Sequence, residues 1–166
     1  MTRRGFLEVS TVIGLSVSMK AEGLTPERKE IKGLLPVITA VQEHMFPEGS
    51  NLPSAKEMKM ISFLADTIFH SSYDKDIRAF VINGAKELDK RTKGKFIQMK
   101  HSEKEAALRA YEETHYGSNW LSRIMTLSME ALFSDPIYGS NIKEAGWKAV
   151  DSYGGIPKPK QRYIEL

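Results

Sequence analysis

Residues 118–147 read SNWLSRIMTLSMEALFSDPIYGSNIKEAGW, and one rule of spacing holds in the first half of this stretch and fails in the second. Trp120, Leu121, Ile124, Met125, Leu127, Met129, Leu132 and Phe133 recur at the steps of a helix with one buried side. The period stops at Asp135-Pro136. Proline fixes its own φ and pushes the preceding residue out of the α region, so an aspartate there opens a turn. Tyr138-Gly139 and Asn141 continue the irregular path, because glycine tolerates positive φ and asparagine bonds to its own backbone. Gly146-Trp147 sets the residue without a side chain beside the largest one, a pairing that suits an indole pressed against nearby backbone. The expectation is a long helix closed by a structured cap, or by a surface kept for a partner.

Upstream the helical period repeats. Thr25-Pro26-Glu27 is a helix start: a threonine cap, proline where its missing N–H costs nothing, and an acid in the first turn. Ile31, Leu34, Leu35, Ile38, Val41 and Met45 form one apolar stripe, with Pro36 expected to kink or split the helix. Residues 46–53 read as a loop. Ser54 with Glu57 predicts a capping box, Asp74 opens a further helix that ends in the basic cluster around Gly94, and Phe96, Ile97 and Met99 form a short packed bridge. Ser102-Glu103-Lys104-Glu105 predicts another capping box, and the last long helix is expected after Gly117. Nothing between residues 25 and 134 alternates with period two long enough to make a strand. The fold class is all-α, an irregular bundle of about five helices with a loop-rich C-terminal cap. Residues 24–155 form this domain, and residues 156–166 an extended tail, mobile or laid on a neighbour.

The pattern Asp-Pro-x-Tyr-Gly-x-Asn, four residues and then Gly-Trp, met here by Asp135, Pro136, Tyr138, Gly139, Asn141, Gly146 and Trp147, resembles a known signature. It is that of the small subunit, subunit 3, of gluconate 2-dehydrogenase and related membrane-bound, flavin-dependent sugar and polyol dehydrogenases. Leu24-Thr25-Pro26-Glu27 and Phe46-Pro47 resemble the two ends of that family's first mature helix. The resemblance implies a non-catalytic subunit whose large partner carries FAD and the active site, often with a c-type cytochrome carrying haem c. It also implies that this chain assists maturation, export and stability of the large subunit, and that part of the 135–147 motif faces that partner.

Residues 1–20 resemble a twin-arginine (Tat) export signal, with Arg3 and Arg4 followed by Phe6 and Leu7 and then by the uncharged run Val9 to Met19. Glu8 departs from the lysine often found there, and the alternative is an ordinary amphipathic helix. A helix over that run would rise about 16 Å, roughly half a bilayer core, so it is no stable span. Small residues at Ser16-Val17-Ser18 allow cleavage without marking it. The expected location is the periplasm, held at the membrane through the complex, with the Tat translocase as a transient partner. Because that pathway moves folded proteins, a flavoprotein without a signal could travel out bound to this chain.

The rest of the composition bounds the chemistry. A formal charge of +3 with both signs interspersed gives no nucleic-acid footprint. Cysteine is absent, which removes thiolate-held clusters, Cys-x-x-Cys-His haem attachment and disulfides from this chain. No Gly-x-Ser-x-Gly elbow and no Gly-x-Gly-x-x-Gly cradle occurs, so no catalytic, cofactor-binding or metal residue is assigned. The competing reading is a di-iron-like metal protein, because Glu112-x-x-His115 would set a carboxylate and an imidazole on one helix face, with Asp66 and His70 as a looser pair. A second copy of that motif is missing, which favours His115 as the end of a polar helix face and His70 as the close of another helix. A third reading is a periplasmic interaction module with some other partner.

Overall fold

The computed structural model describes residues 26–162, and six α-helices make up that region: α1 Pro26–Met45, α2 Met60–Phe69, α3 Lys75–Arg91, α4 His101–Glu112, α5 His115–Phe133 and α6 Ala145–Ala149. Three 3-10 turns, Phe96–Gln98, Pro136–Tyr138 and Ile142–Glu144, complete the order, and no strand occurs among the described residues. The all-α expectation holds. The export motif Arg3, Arg4, Phe6 and Leu7 and the Thr25 cap lie outside the described residues.

Helices α1 and α5 form the centre. Each packs against α2, α3, α4 and the other, and α5 also carries α6 at its C-terminal end. The main core joins Val41, Leu64, Val81, Leu88, Trp120 and Ile124, all fully buried. A second, smaller core of Phe46, Ala55, Met58, Met60, Ala131 and Leu132 lies at the far end of α5, under the cap. Among the described residues no helix is long and apolar enough to cross a membrane.

Four local expectations need correction, each for a physical reason. Helix α1 is not split at Pro36 but runs through it. The carbonyl that proline leaves unpaired belongs to Lys32, which is exposed, so water can take the lost bond. The Ser54 box does form, with Glu57 Oε2 accepting the Ser54 N–H at 2.9 Å and Ser54 Oγ accepting the Glu57 N–H at 3.2 Å. It opens only a turn, however, because Lys59 then adopts φ 53° and α2 begins after it. The second box closes two residues early, with Glu103 accepting the Lys100 N–H at 2.8 Å, so Lys100 and not Ser102 precedes α4. Helix α5 starts before Gly117, since the Thr114 hydroxyl accepts the Gly117 N–H at 2.9 Å and caps it. A side chain at Gly117 would lie 2.0 Å from the Tyr111 carbonyl, so the α4–α5 corner closes only on glycine.

Candidate functional site: the C-terminal cap

Asp135 ends the helical run as its proline dictates, and its carboxylate accepts the Ile137 N–H at 3.0 Å to start the first 3-10 turn. Gly139 takes φ 85°, which turns the chain back toward the bundle. Ser140, fully buried, donates to the Met58 carbonyl and ties the turn to the loop before α2.

Asn141 is the centre of the cap. It is fully buried, its Nδ2 donates to the Ser134 carbonyl at 2.8 Å, and its Oδ1 accepts the Gly146 N–H at 2.8 Å. One amide thus satisfies the end of α5 and the start of α6 together, which neither an aliphatic residue nor an aspartate can do. Its φ of 46° lies in the left-handed region, where asparagine is one of the few side chains tolerated. Gly146 is required by contact: a Cβ there would lie 2.0 Å from the Leu132 carbonyl.

Trp147, 7% exposed, donates its indole N–H to the Phe133 carbonyl at 2.8 Å. The backbone that presses on this ring is not that of Gly146 but of Gly154, where a Cβ would come within 2.6 Å of the indole. Lys158 sets its ammonium 3.8 Å from the ring centroid and bonds to Glu144 Oε1 and the Tyr153 carbonyl, each at 3.0 Å. Arg162 donates to the Ile137 carbonyl at 2.7 Å. The segment from residue 156 to Arg162 is therefore laid on its own cap. The expectation had left it free or on a neighbour.

Every motif residue falls in this one region: the Asn141 side chain bonds to Gly146, Asp135 and Trp147 bond to flanking backbone, and Tyr138 is half-buried. Ser140, Gly154, Lys158 and Arg162 complete the cap and were not singled out from sequence. Only the Gly154-Gly155 pair signals a close approach there.

The sequence pairs that suggested metal come apart. Glu112 is the last residue of α4 and His115 the first of α5, so they share no helix face, and His115 opens a helix where it was expected to end one. Glu112 pairs with Arg109 at 3.1 Å, and His115 is exposed. His70 closes α2 as expected, its Nδ1 2.6 Å from Ser72 Oγ. Asp66 is half-buried, which raises its carboxyl, with Arg162 acting the other way. A cluster unseen in the sequence joins α1 to α4: His44 Nε2 lies 2.6 Å from Glu105 Oε2, and the His44 and His101 rings stack at 4.4 Å. The His44 and Arg109 bonds hold the Glu105 carboxyl below its ordinary value. Among the described residues no group of three His, Cys, Asp or Glu could hold a metal ion. An apolar groove of about 400 Å³ lies between Met45, Phe46, Leu52, Met125 and Met129.

Fold and cap together define the class: an all-helical domain whose irregular end is pinned by polar side chains. A family model described as "Gluconate 2-dehydrogenase subunit 3" matches residues 35–155, from the second half of α1 through the cap as far as the Gly154-Gly155 pair, and the chain belongs to that family. No curated protein and no solved structure matches it.

Proposed function

We propose that this chain is the non-catalytic small subunit of a periplasmic, flavin-dependent sugar or sugar-acid dehydrogenase of the gluconate 2-dehydrogenase kind. The observation that carries the reading is the family match, which spans all seven motif residues of the cap. A large flavoprotein subunit is the catalytic partner and holds FAD; a c-type cytochrome subunit with haem c takes the electrons onward. The chain's own task is to stabilise the large subunit and to bring it across the membrane, folded and loaded, by way of Arg3 and Arg4 and the Tat translocase. A preformed helical domain suits that task, because a rigid docking face loses little conformational entropy on association.

The test is the double substitution Arg3→Lys with Arg4→Lys in the native host. The expected outcome is dye-linked sugar dehydrogenase activity that moves from the periplasmic side of the membrane to the cytoplasm, with this chain and bound flavin retained together. Periplasmic activity at the wild-type level would end the co-export reading. A wild-type chain that purifies without any flavoprotein would end the subunit reading itself.

A further inference from the structure

Six large apolar side chains are exposed among the described residues, and three of them, Val150, Tyr153 and Ile156, fall within seven positions after α6. Their exposures are 49%, 71% and 80%, against 38% and 37% for Met125 and Met129 in the α5 groove. A flexible tail could carry such residues without meaning. This segment is held. The Ser152 N–H bonds to the Trp147 carbonyl at 2.8 Å, the Gly154 backbone lies on the indole, and Lys158 closes the loop by bonding back to the Tyr153 carbonyl. The apolar tips are thus presented outward on a fixed support, the condition under which exposed aromatic and aliphatic side chains make interface anchors.

Charge describes what they meet. From residue 148 to 162 the chain carries Lys148, Lys158, Lys160 and Arg162 against Asp151, and with Lys158 paired to Glu144 the segment keeps a smaller excess of positive charge. We propose that the clasped segment 150–156 is the edge by which this chain docks on its catalytic flavoprotein, inserting Tyr153 and Ile156 into an apolar pocket of that subunit bordered by carboxylates. This rests on the subunit reading above and adds to it the place of contact. An anionic membrane shares the same polarity, but two or three side chains bury less apolar surface than one fatty-acyl chain, which by itself anchors only marginally. A preformed protein pocket makes better use of so small a patch.

The experiment uses the full chain in its host, captured with an antibody against this protein, and reads bound flavin per chain. Tyr153→Asp with Ile156→Asp is compared with Met125→Asp and Met129→Asp as a second double variant. Tyr153 and Ile156 are exposed, so melting of the purified tail variant is expected at the wild-type temperature. Its bound flavin is expected to fall by about tenfold or more, the loss of one interface hot spot, while the α5 variant keeps roughly the wild-type amount. Wild-type flavin on the tail variant overturns the proposal, and loss on the α5 variant alone moves the interface to the groove. If the wild-type chain carries no flavoprotein, the subunit reading fails and this surface with it. If the tail variant keeps its flavin but the purified chain loses binding to phosphatidylglycerol vesicles, the segment belongs to the membrane and the proposal is wrong.

Discussion

Trp120 and Trp147, the only tryptophans in the chain, are each pressed on a glycine, and each donates its indole N–H to a backbone carbonyl, yet they sit at opposite ends of a scale of constraint. Trp120 bonds to the Val81 carbonyl at 2.9 Å and is fully buried between α3 and α5. Its glycine, Gly84, lies inside a helix, where glycine costs about 1 kcal/mol relative to alanine. The ring requires that glycine all the same, and the Tyr111 hydroxyl donates to its carbonyl at 3.1 Å. Burial pushes the Tyr111 phenol well above its ordinary value, so it stays a donor at any physiological pH. Trp147 rests on Gly154, which lies outside any helix at φ 67° and is held by the contacts of one loop rather than between two helices. The same device therefore locks two helices in one place and latches a strap in the other.

The sharpest way to break the comparison is Gly84→Ala. The new methyl would lie 1.9 Å from Trp120 Cδ1, and the indole cannot yield without losing its bond to Val81. Overpacking of this depth belongs at the severe end of its class, on the order of 4 kcal/mol, with about 1 kcal/mol returned by helix propensity. For a domain of ordinary stability that is a large share of the whole. The expected result is insoluble or strongly destabilised protein, read as soluble yield and thermal midpoint. A wild-type midpoint would mean that α3 and α5 are not locked here.

Asn141→Ala comes second. It leaves the half-buried Ser134 carbonyl and the buried Gly146 N–H without the Asn141 partner and puts alanine at a positive φ. The cost is about 2 to 3 kcal/mol, from two unsatisfied groups partly relieved by water. Because the cap packs on the smaller core, loss should begin there. Hydrogen exchange is expected to speed at Gly146 and Trp147 while α3 stays protected, and uniform acceleration across the chain would show cap and bundle to be one cooperative unit.

The two regions also differ in how far the sequence exposed them. The bundle repeats a single period, so much of the buried sides of α1 and α5 could be read directly, although Met125 and Met129 of the α5 stripe are exposed, and Asp135-Pro136 marked the end of the last long helix within a residue. Expectations failed where one local preference outweighed another. Pro36 did not split α1, since the carbonyl it orphans belongs to the exposed Lys32, and Thr114 outranked Gly117 as a helix start because its hydroxyl could cap. That second failure also undid the metal reading, since the α4–α5 corner falls between Glu112 and His115. In the cap the existence of order was legible from its glycines, proline and asparagine, but its partners were not. The contacts of Trp147 with Gly154 and Lys158, and of Arg162 with Ile137, follow no period, and lysine and arginine near a chain end carry no signal of their own.

Gly154→Ala tests the weaker latch and carries the smallest expected change in stability. The added methyl would meet the Trp147 ring at 2.6 Å, at a positive φ that alanine resists. The tail has no core behind it, so it is expected to lift rather than the cap to distort, and global stability should fall by less than about 1 kcal/mol. The local effect is larger. Lifting separates Lys158 from the indole, from Glu144 and from the Tyr153 carbonyl together, since all three depend on the loop closing over Gly154. Trypsin cleavage after Lys160, whose next residue is Gln161, is therefore expected to quicken, whereas Lys158 precedes Pro159 and stays resistant. Trp120 serves as the internal control: its indole N–H should keep its protection from exchange while that of Trp147 loses it. Equal loss at both rings would mean that the strap is coupled to the bundle, and the distinction drawn between a lock and a latch would fail.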